Sequence, residues 1–376
     1  MNILISGASI AGPALALELA RDGHAVTVVE KAPALRTGGQ AVDFKGATHR
    51  TVLDRMGILD DVLARQTGGA DQVVVDADGR PVTTIPGEFT GGDIEIRRGD
   101  LSALLYDRTE KDCEYVFGDS ITSLTDTGRG VHVTFEKAAP RTFDLVVGAD
   151  GIHSMVRRLA FGPEQDYVRH LGHYYALAEL DVPGQGLTYN EPGRMVALGG
   201  PKAQSFFVFA AGELSYDRYD TEQQKKLLID AYRGGGWRIP EILDAIPAAS
   251  EFFLDSISRL EAMDDYAQGR VVLLGDAAYG NTLSGFGSGL AVVGAHVLAG
   301  ELRRGGHEIA FRRYTELMRG YAKVARKATA GPFLAPRTKR GIWARNRLFR
   351  WSPLYRSMMW LTDRFATDID LPEYVR

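Results

Sequence analysis

The first thirty residues narrow the fold more than any other stretch. Asn2–Ser6 (NILIS) reads as a buried strand, Gly7-Ala8-Ser9-Ile10-Ala11-Gly12 as a turn, Pro13–Arg21 as a helix and Ala25–Glu30 (AVTVVE) as a second strand. A proline in the first helical turn loses no hydrogen bond. Two strands joined through a helix in this way lie parallel, which calls for a doubly wound α/β sheet. The turn carries the dinucleotide fingerprint, with Ser9 where the middle glycine is usual. Gly7 makes the tight turn, Ser9, Ile10 and Ala11 lie where a pyrophosphate passes, and Gly12 allows close helix–strand packing. Glu30, 18 residues beyond Gly12 and followed by Lys31, offers a carboxylate to ribose hydroxyls. NAD and FAD share an ADP half, so this unit does not choose between them.

Two later segments repeat the theme. Val271–Leu274 is a short apolar strand that ends in Gly275-Asp276, a loop with Gly280, Gly285, Phe286, Gly287 and Gly289, and a nearly uncharged helix from about Ser288 to Leu302. The small residues of that helix call for a tightly packed neighbour, and its start offers unpaired amides to an electron-rich ring. Asp276 is placed to accept hydroxyls of a polyol. Phe143–Ala149 (FDLVVGA) reads as another buried strand, running into Asp150-Gly151-Ile152-His153-Ser154-Met155-Val156-Arg157. Asp150 is expected near the pyrophosphate, and Arg157 as a brace for the loop or one half of an ion pair.

Between these segments lie further candidates. Residues 31–45 form a loop able to fold over a cofactor, with Arg36, Gln40 and Asp43 as polar contacts. Arg98, at a strand-to-helix junction, can reach a diphosphate or a ring edge. Residues 172–260 change character, with Tyr-, Phe- and Val-rich strands near 173–182, 187–190, 194–199 and 204–210 and helices near 221–233 and 240–246. We expect an antiparallel sheet whose apolar face lines a substrate pocket, with His173, Tyr174, Phe206, Phe207 and Phe209 as candidates. The fold class is therefore α/β: a Rossmann-like domain built from 1–71, 93–165 and 256–325, an inserted sheet domain from 72–92 and 166–255, and a C-terminal helical segment, 326–376.

Composition excludes several alternatives. A net charge of -4 argues against nucleic acid as a partner. No window of about 18 consecutive apolar residues occurs, so no stable membrane insertion is expected. The uncharged N-terminus lacks a basic leader and is broken by Gly7, Gly12 and Pro13. The single Cys113 fits a reducing cytoplasm. No metal-ligand spacing is present. Basic and aromatic residues interleave over 337–364, including Trp343, Arg345, Phe349, Trp351, Met358 and Trp360. The expected arrangement is a helix spanning the domains with aromatics buried and arginines exposed, in preference to a lipid-binding surface helix.

The three segments GASIAG with Glu30, GADGIHSMVR at 148–157 and GDAAYGNTLSGFG at 275–287 occur together and in this order. This resembles the FAD-dependent aromatic hydroxylases, the single-component monooxygenases typified by para-hydroxybenzoate hydroxylase. It is most similar to the branch with polyketide-tailoring hydroxylases and tetracycline-inactivating monooxygenases. The resemblance covers residues 1–160 and 260–325 well and the sheet only in outline. It implies that Gly7, Ser9, Gly12 and Glu30 bind the ADP half of FAD, that Arg98 reaches the cofactor, and that Asp276 holds the ribitol chain. Asp150 would sit near the diphosphate, and the 285–289 loop would face the flavin pyrimidine. NADPH or NADH would reduce the flavin transiently, O2 would add at its C4a position, and the hydroperoxide would hydroxylate an aromatic substrate. Tyr279 stands where the family commonly has His, and Leu283 where it usually has Pro. Two alternatives share the fold. One is a flavin-dependent halogenase, suggested by Trp237-Arg238-Ile239-Pro240; the other is a non-catalytic FAD- or ADP-binding escort. A monomer or homodimer is expected.

Overall fold

The apolar strands that lead into the three cofactor-like segments assemble side by side. In the computed structural model, which describes residues 1–35, 38–87, 93–199, 205–327, 330–350 and 370–374, a six-stranded sheet runs in the order 267–268, 271–273, 145–148, 2–6, 25–30, 114–117. Its neighbours are parallel except for the short first pair. Ile3, Leu4, Ile5, Val146, Val272 and Leu273 are wholly buried, as strands covered on both faces must be. Register matters most here. Ser6 pairs with Gly148, and Gly148 with Leu273, so the Gly7 turn, Asp150 and Asp276 all leave the same carboxyl edge. Ligands bind at that edge in open α/β sheets.

The helices Ala11–Arg21 and Gly287–Arg304 pack against each other. The tight neighbours that the small residues of the second helix call for are aromatic rings. A Cβ on Gly289 would lie 2.3 Å from His49 Nε2, one on Gly294 2.2 Å from the Tyr279 hydroxyl, and one on Gly300 2.4 Å from the Tyr374 ring.

The second sheet has seven strands, ordered 252–260, 168–178, 205–210, 194–198, 187–191, 72–75, 81–85. It is not purely antiparallel, because Leu187–Glu191 and Gln72–Val75 pair in parallel. Residues 72–85 arrive from an earlier part of the chain, so no hairpin constrains that junction. The long strand Phe252–Leu260, absent from the sequence reading, pairs with Val168–Ala178. The segment read as one strand over 143–149 is divided, with Arg141–Phe143 joining a separate three-stranded sheet.

The helices Thr221–Tyr232 and Ile239–Ala245 cover one face of the seven-stranded sheet. On the other face, Gly331–Leu334 lies against 168–178 and 205–210, and Lys339–Arg350 against 81–85 and 187–191. The expected exposure pattern of this last helix is partly reversed. Arg345 is buried and donates to the Leu334 carbonyl and to Asn190 and Asn346 Oδ1, whereas Trp343 is exposed beneath the Arg347 guanidinium. A guanidinium with this many acceptors can be buried. Trp351, Met358 and Trp360 lie outside the described residues. Among the described residues no helix is long and apolar enough to cross a membrane.

Candidate functional site

The glycine turn is built as its spacing requires. Gly7 has φ of +110°, and a Cβ there would meet the Ala149 carbonyl oxygen at 2.4 Å. A Cβ on Gly12 would lie 1.9 Å from the Gly7 carbonyl oxygen, so helix and strand touch through this glycine. No side chain caps the Ala11–Arg21 helix and no acid stands in its first turn. Its amides are thus available to an anion, the usual situation at a dinucleotide pyrophosphate. Glu30 Oε2 accepts from the Ala8 amide at 2.9 Å and Oε1 from the Ala32 amide at 2.8 Å. The carboxylate is held beside the turn, with lone pairs left for ribose hydroxyls.

Arg98 closes the turn from the opposite side. Its Nε and Nη2 donate to Ser9 Oγ at 3.3 and 3.1 Å, and Ser102 Oγ donates to the Ser9 carbonyl at 2.9 Å. Ser9, standing in for a glycine, is therefore tied to the cation by its side chain. Residues 38–40 pass over Arg98: a Cβ on Gly39 would be 3.3 Å from Arg98 Cδ, and the Gln40 carbonyl accepts from the Arg98 amide at 3.4 Å. Asp43 pairs with Glu95 within a short two-stranded sheet. Lys31 Nζ lies 4.0 Å over the Tyr219 ring. Arg36 lies outside the described residues.

Asp150 spends its carboxylate locally. Its oxygens accept from the Ser154 hydroxyl and from the Met155 and Val156 amides at 2.8 and 3.1 Å, with Ser6 Oγ at 3.4 Å. It shapes the turn beside Gly7 more than it offers a free acceptor. Arg157 makes no ion pair among the described residues. It is buried and donates to the Ala277 carbonyl at 3.0 Å and the Ile152 carbonyl at 2.6 Å, bracing the Asp150 loop against the Asp276 loop.

Asp276 is the least satisfied group at this edge. It opens a short helix, Asp276–Tyr279, after Gly275 at φ of 65°. No hydrogen bond to it occurs among the described residues. It is open to solvent, yet the protein around it is dense enough that burial raises its carboxyl, with Arg98 opposing. Both statements hold for a group on the floor of a deep cleft. Asp150 is half-buried, and burial raises its carboxyl too. A Cβ on Gly287 would stand 3.3 Å from Asp276 Oδ1, so the Gly287–Arg304 helix starts beside this carboxylate. Phe286 precedes that start, Gly285 turns into it at φ of 79°, and no side chain caps it. A carboxylate acceptor, two uncapped helix starts and an arginine suit a hydroxylated, diphosphate-containing dinucleotide. Among the described residues no cluster could hold a metal ion.

The candidates on the second sheet divide by face. Tyr174, Phe207 and Phe209 point away from the cleft and pack with Tyr232 under the covering helices. They are core residues and do not line a pocket there. His173 faces the other way but is buried beneath Gly331 and Ala335, and burial lowers its pKa. Phe206 is half-buried on the cleft side. Its companions there are Tyr175, Phe253 and Leu283, none singled out from sequence as pocket residues. Strand alternation is the signal that would have found them, once one residue's facing was known. Sequence reasoning also missed a link between the Asp150 loop and the second sheet: His153 meets Glu164 at 2.9 Å and Asp255 at 3.1 Å, and Arg218 reaches Glu164 at 3.3 Å.

Comparison with known proteins agrees with this geometry. Residues 1–307 match the family model described as an FAD binding domain. An uncharacterized protein of Mycobacterium tuberculosis (strain ATCC 25618 / H37Rv) is 40% identical over 340 residues, covering 86% of this chain and 91% of its own. A flavin-dependent monooxygenase of Legionella longbeachae serogroup 1 (strain NSW150) is 35% identical over 345 residues, 87% of each. Among solved structures, the tetracycline destructase Tet(51) superposes with a TM-score of 0.83 at 30% identity, covering 100% of this chain and 99% of that one.

Proposed function

Since the chain belongs to the FAD-binding flavoprotein monooxygenases and is an FAD-dependent oxidoreductase, we propose that it hydroxylates an aromatic or polycyclic small molecule. NADPH or NADH would supply two electrons and O2 the oxygen atom, the second oxygen leaving as water. The observation that carries this reading is the cleft at the carboxyl edge, where Asp276 stands accessible, enclosed and unpaired beside an uncapped helix start. Bound FAD would supply hydride acceptance and oxygen activation. The chain's own task is to bind, orient and exclude water. Glu30 would accept the adenosine ribose hydroxyls, and the turn from Gly7 to Gly12 with Arg98 would neutralise the diphosphate. Asp276 would accept ribitol hydroxyls. The start of the Gly287–Arg304 helix would place partial positive charge against the reduced ring. Gly234-Gly235-Gly236 follows the helix Thr221–Tyr232, not a strand, which supports a nicotinamide that visits without a dinucleotide site of its own.

The domain division given above is part of the same proposal, as is a monomer or homodimer in the cytoplasm; the lone, buried Cys113 thiol, pushed up to about 11 by burial, supports a reducing setting. The halogenase reading loses its motif, because Trp237 packs on Tyr189 in the cluster under the covering helices, away from the cleft. The tetracycline destructase neighbour makes tetracyclines one polycyclic class to try. The test is direct. The purified protein should be yellow or take up FAD, and phenols or polycyclic aromatics should accelerate NAD(P)H oxidation without halide. A colourless protein that cannot be reconstituted with FAD would end this reading.

A further inference from the structure

We propose that the outer face of the helix Lys339–Arg350 is a docking surface for an anionic lipid bilayer, bound at headgroup level with no spanning segment. This rests on the charge and facing of one helix and is independent of the monooxygenase reading.

Charge in this chain is segregated. The whole carries -4, yet from Leu317 to Thr362 there are eleven Lys and Arg residues and no Asp or Glu. A surface that is only solvated mixes both signs, whereas a one-signed stretch creates a field for an oppositely charged partner. Lys339–Arg350 is a helix of twelve residues within that stretch.

Its two sides have different tasks. Arg345, Asn346 and Phe349 are buried. The Phe349 ring meets Phe333 edge-on at 6.0 Å between centroids and joins the cluster of Val74 and Ile85, and Arg345 Nη2 donates to Asn190 Oδ1 at 2.8 Å. One side therefore holds the helix on the second sheet. Lys339, Arg340, Trp343, Arg347 and Arg350 are exposed. Spacings of three and four residues bring them onto one stripe, about 17 Å long at 1.5 Å per residue. Arg350 donates to the Val82 carbonyl at 3.1 Å. Lys339, Arg340 and Arg347 form no ion pair among the described residues. Glu191, on the adjoining strand Leu187–Glu191, is engaged by Arg194 and by the Gly236 amide, so it does not neutralise the stripe.

Trp343 decides which partner fits. It is 63% exposed, where the sequence pattern called for inward aromatics. The Arg347 guanidinium lies over its ring, 5.4 Å from the centroid. An indole among cations on a surface helix joins an apolar body to a charged rim, which is how side chains sit at the headgroup level of a bilayer. A polynucleotide would call for a basic groove that tracks its backbone, and one helix face is no groove. Each cation close to an anionic bilayer strengthens binding about fivefold, so the three without an acid partner supply about a hundredfold. That attraction fades within about 8–10 Å at moderate salt, so the acidic remainder of the molecule does not cancel it.

The test is co-sedimentation of the full chain with vesicles of phosphatidylcholine alone or with about one-third phosphatidylserine, at about 0.1 M and about 1 M salt. The proposal expects binding to the serine-containing vesicles, none to phosphatidylcholine alone, and release at the higher salt. Lys339→Gln with Arg340→Gln and Arg347→Gln should weaken binding about a hundredfold. Lys111→Gln with Arg129→Gln and Lys226→Gln removes the same charge at exposed positions elsewhere and should stay within about threefold. All exchanged side chains are exposed, so both triple variants should melt with the unaltered protein. Vesicle binding should shift tryptophan emission to the blue, and Trp343→Phe should remove most of that shift. The proposal is overturned by no binding, by equal binding to both vesicle types, by equal loss in the two triple variants, by an emission shift unchanged in Trp343→Phe, or by salt-dependent binding to a DNA duplex with none to vesicles.

Discussion

A carboxylate that is both enclosed and unpaired is unstable in its charged form unless a ligand supplies donors, and Asp276 is such a group. Asp276→Ala should weaken FAD by about 30- to 1000-fold, from loss of a charge-assisted bond and the hydroxyls left unpaired. Asp276→Asn keeps the shape and one acceptor and should lose less. An N-terminal cap of a core helix would behave otherwise, lowering the melting temperature equally with and without FAD and leaving its dissociation constant unchanged. The pH dependence has a definite sign. Burial raises this carboxyl above 3.8, with Arg98 opposing, so without ligand its charge works against folding once pH passes through the raised value. Ribitol hydroxyls that donate to the carboxylate would lower its pKa and release a proton on binding. FAD affinity should therefore strengthen as pH rises through the acid range, and Asp276→Asn should flatten that slope; fluorescence titration between pH 4 and 7, about the carboxylate range, measures both.

At the scale of elements, the helix Gly287–Arg304 and the link through His153 make opposite kinds of prediction. Gly294→Ala would drive a methyl into the Tyr279 hydroxyl, 2.2 Å away, and should cost about 1–3 kcal/mol in urea unfolding. Gly320, inside His307–Lys327, meets nothing within 4 Å, so Gly320→Ala should stabilise by about 0.5–1 kcal/mol through helix propensity alone. The link is set by charge. Burial opposes ionisation of Glu164, but His153 and Arg218 outweigh it and hold the carboxyl at about 2. Burial also opposes the His153 proton, and Asp255 with Glu164 outweigh that too, raising the imidazole. The Glu164 contribution is present above 4.5 and is lost as pH falls toward about 2; the His153 contribution is full below 6.5 and is lost as pH rises through the raised value. The link's own contribution to the urea midpoint should thus be level from about 4.5 to 6.5, and the difference between the unaltered protein and His153→Gln should shrink on the alkaline side of that window. These elements also show what a sequence can reveal. The parallel layer was legible because its strands are continuous apolar runs punctuated by glycine and acid, as in Val271–Asp276. Phe252–Leu260 was not, since its mixture of Phe, Asp, Ser and Arg follows no clean period where one face meets helices and the other carries Phe253 beside Asp255. Tyr174 was chosen in place of Tyr175 for a related reason: both neighbours are tyrosine, and composition carries no information about facing.

At the scale of the whole molecule, the stretch Leu371–Tyr374 is anchored on one helix. Leu371–Tyr374 returns from the C-terminal segment to the Gly287–Arg304 helix, where the Tyr374 ring lies on Gly300 and under the Arg304 guanidinium, 4.7 Å from its centroid. The Tyr374 hydroxyl donates to Glu301 Oε1 at 2.9 Å, and the Tyr321 hydroxyl donates to the Asp370 carbonyl at 2.6 Å. Glu301 is buried, so its tyrosine partner satisfies an acceptor that water cannot readily reach. Tyr374→Ala removes the ring from a fitted surface and leaves that acceptor short of a donor, which should destabilise the protein by about 2–4 kcal/mol. Tyr374→Phe keeps the ring and should lose about 1–2 kcal/mol, the share belonging to the hydroxyl. Gly300 stands 13 residues beyond Gly287, about 20 Å along the helix at 1.5 Å per residue, so the tail grips the end remote from the proposed flavin. A clamp at that distance acts on the stability of the helix and not on the contacts at its start. The melting temperature should fall in the order unaltered, Tyr374→Phe, Tyr374→Ala, while the FAD dissociation constant at a temperature where all three are folded stays within about twofold, the spread expected for independent distant sites. A tenfold loss of FAD affinity in Tyr374→Ala would show instead that the tail and the cofactor cleft are coupled through this helix.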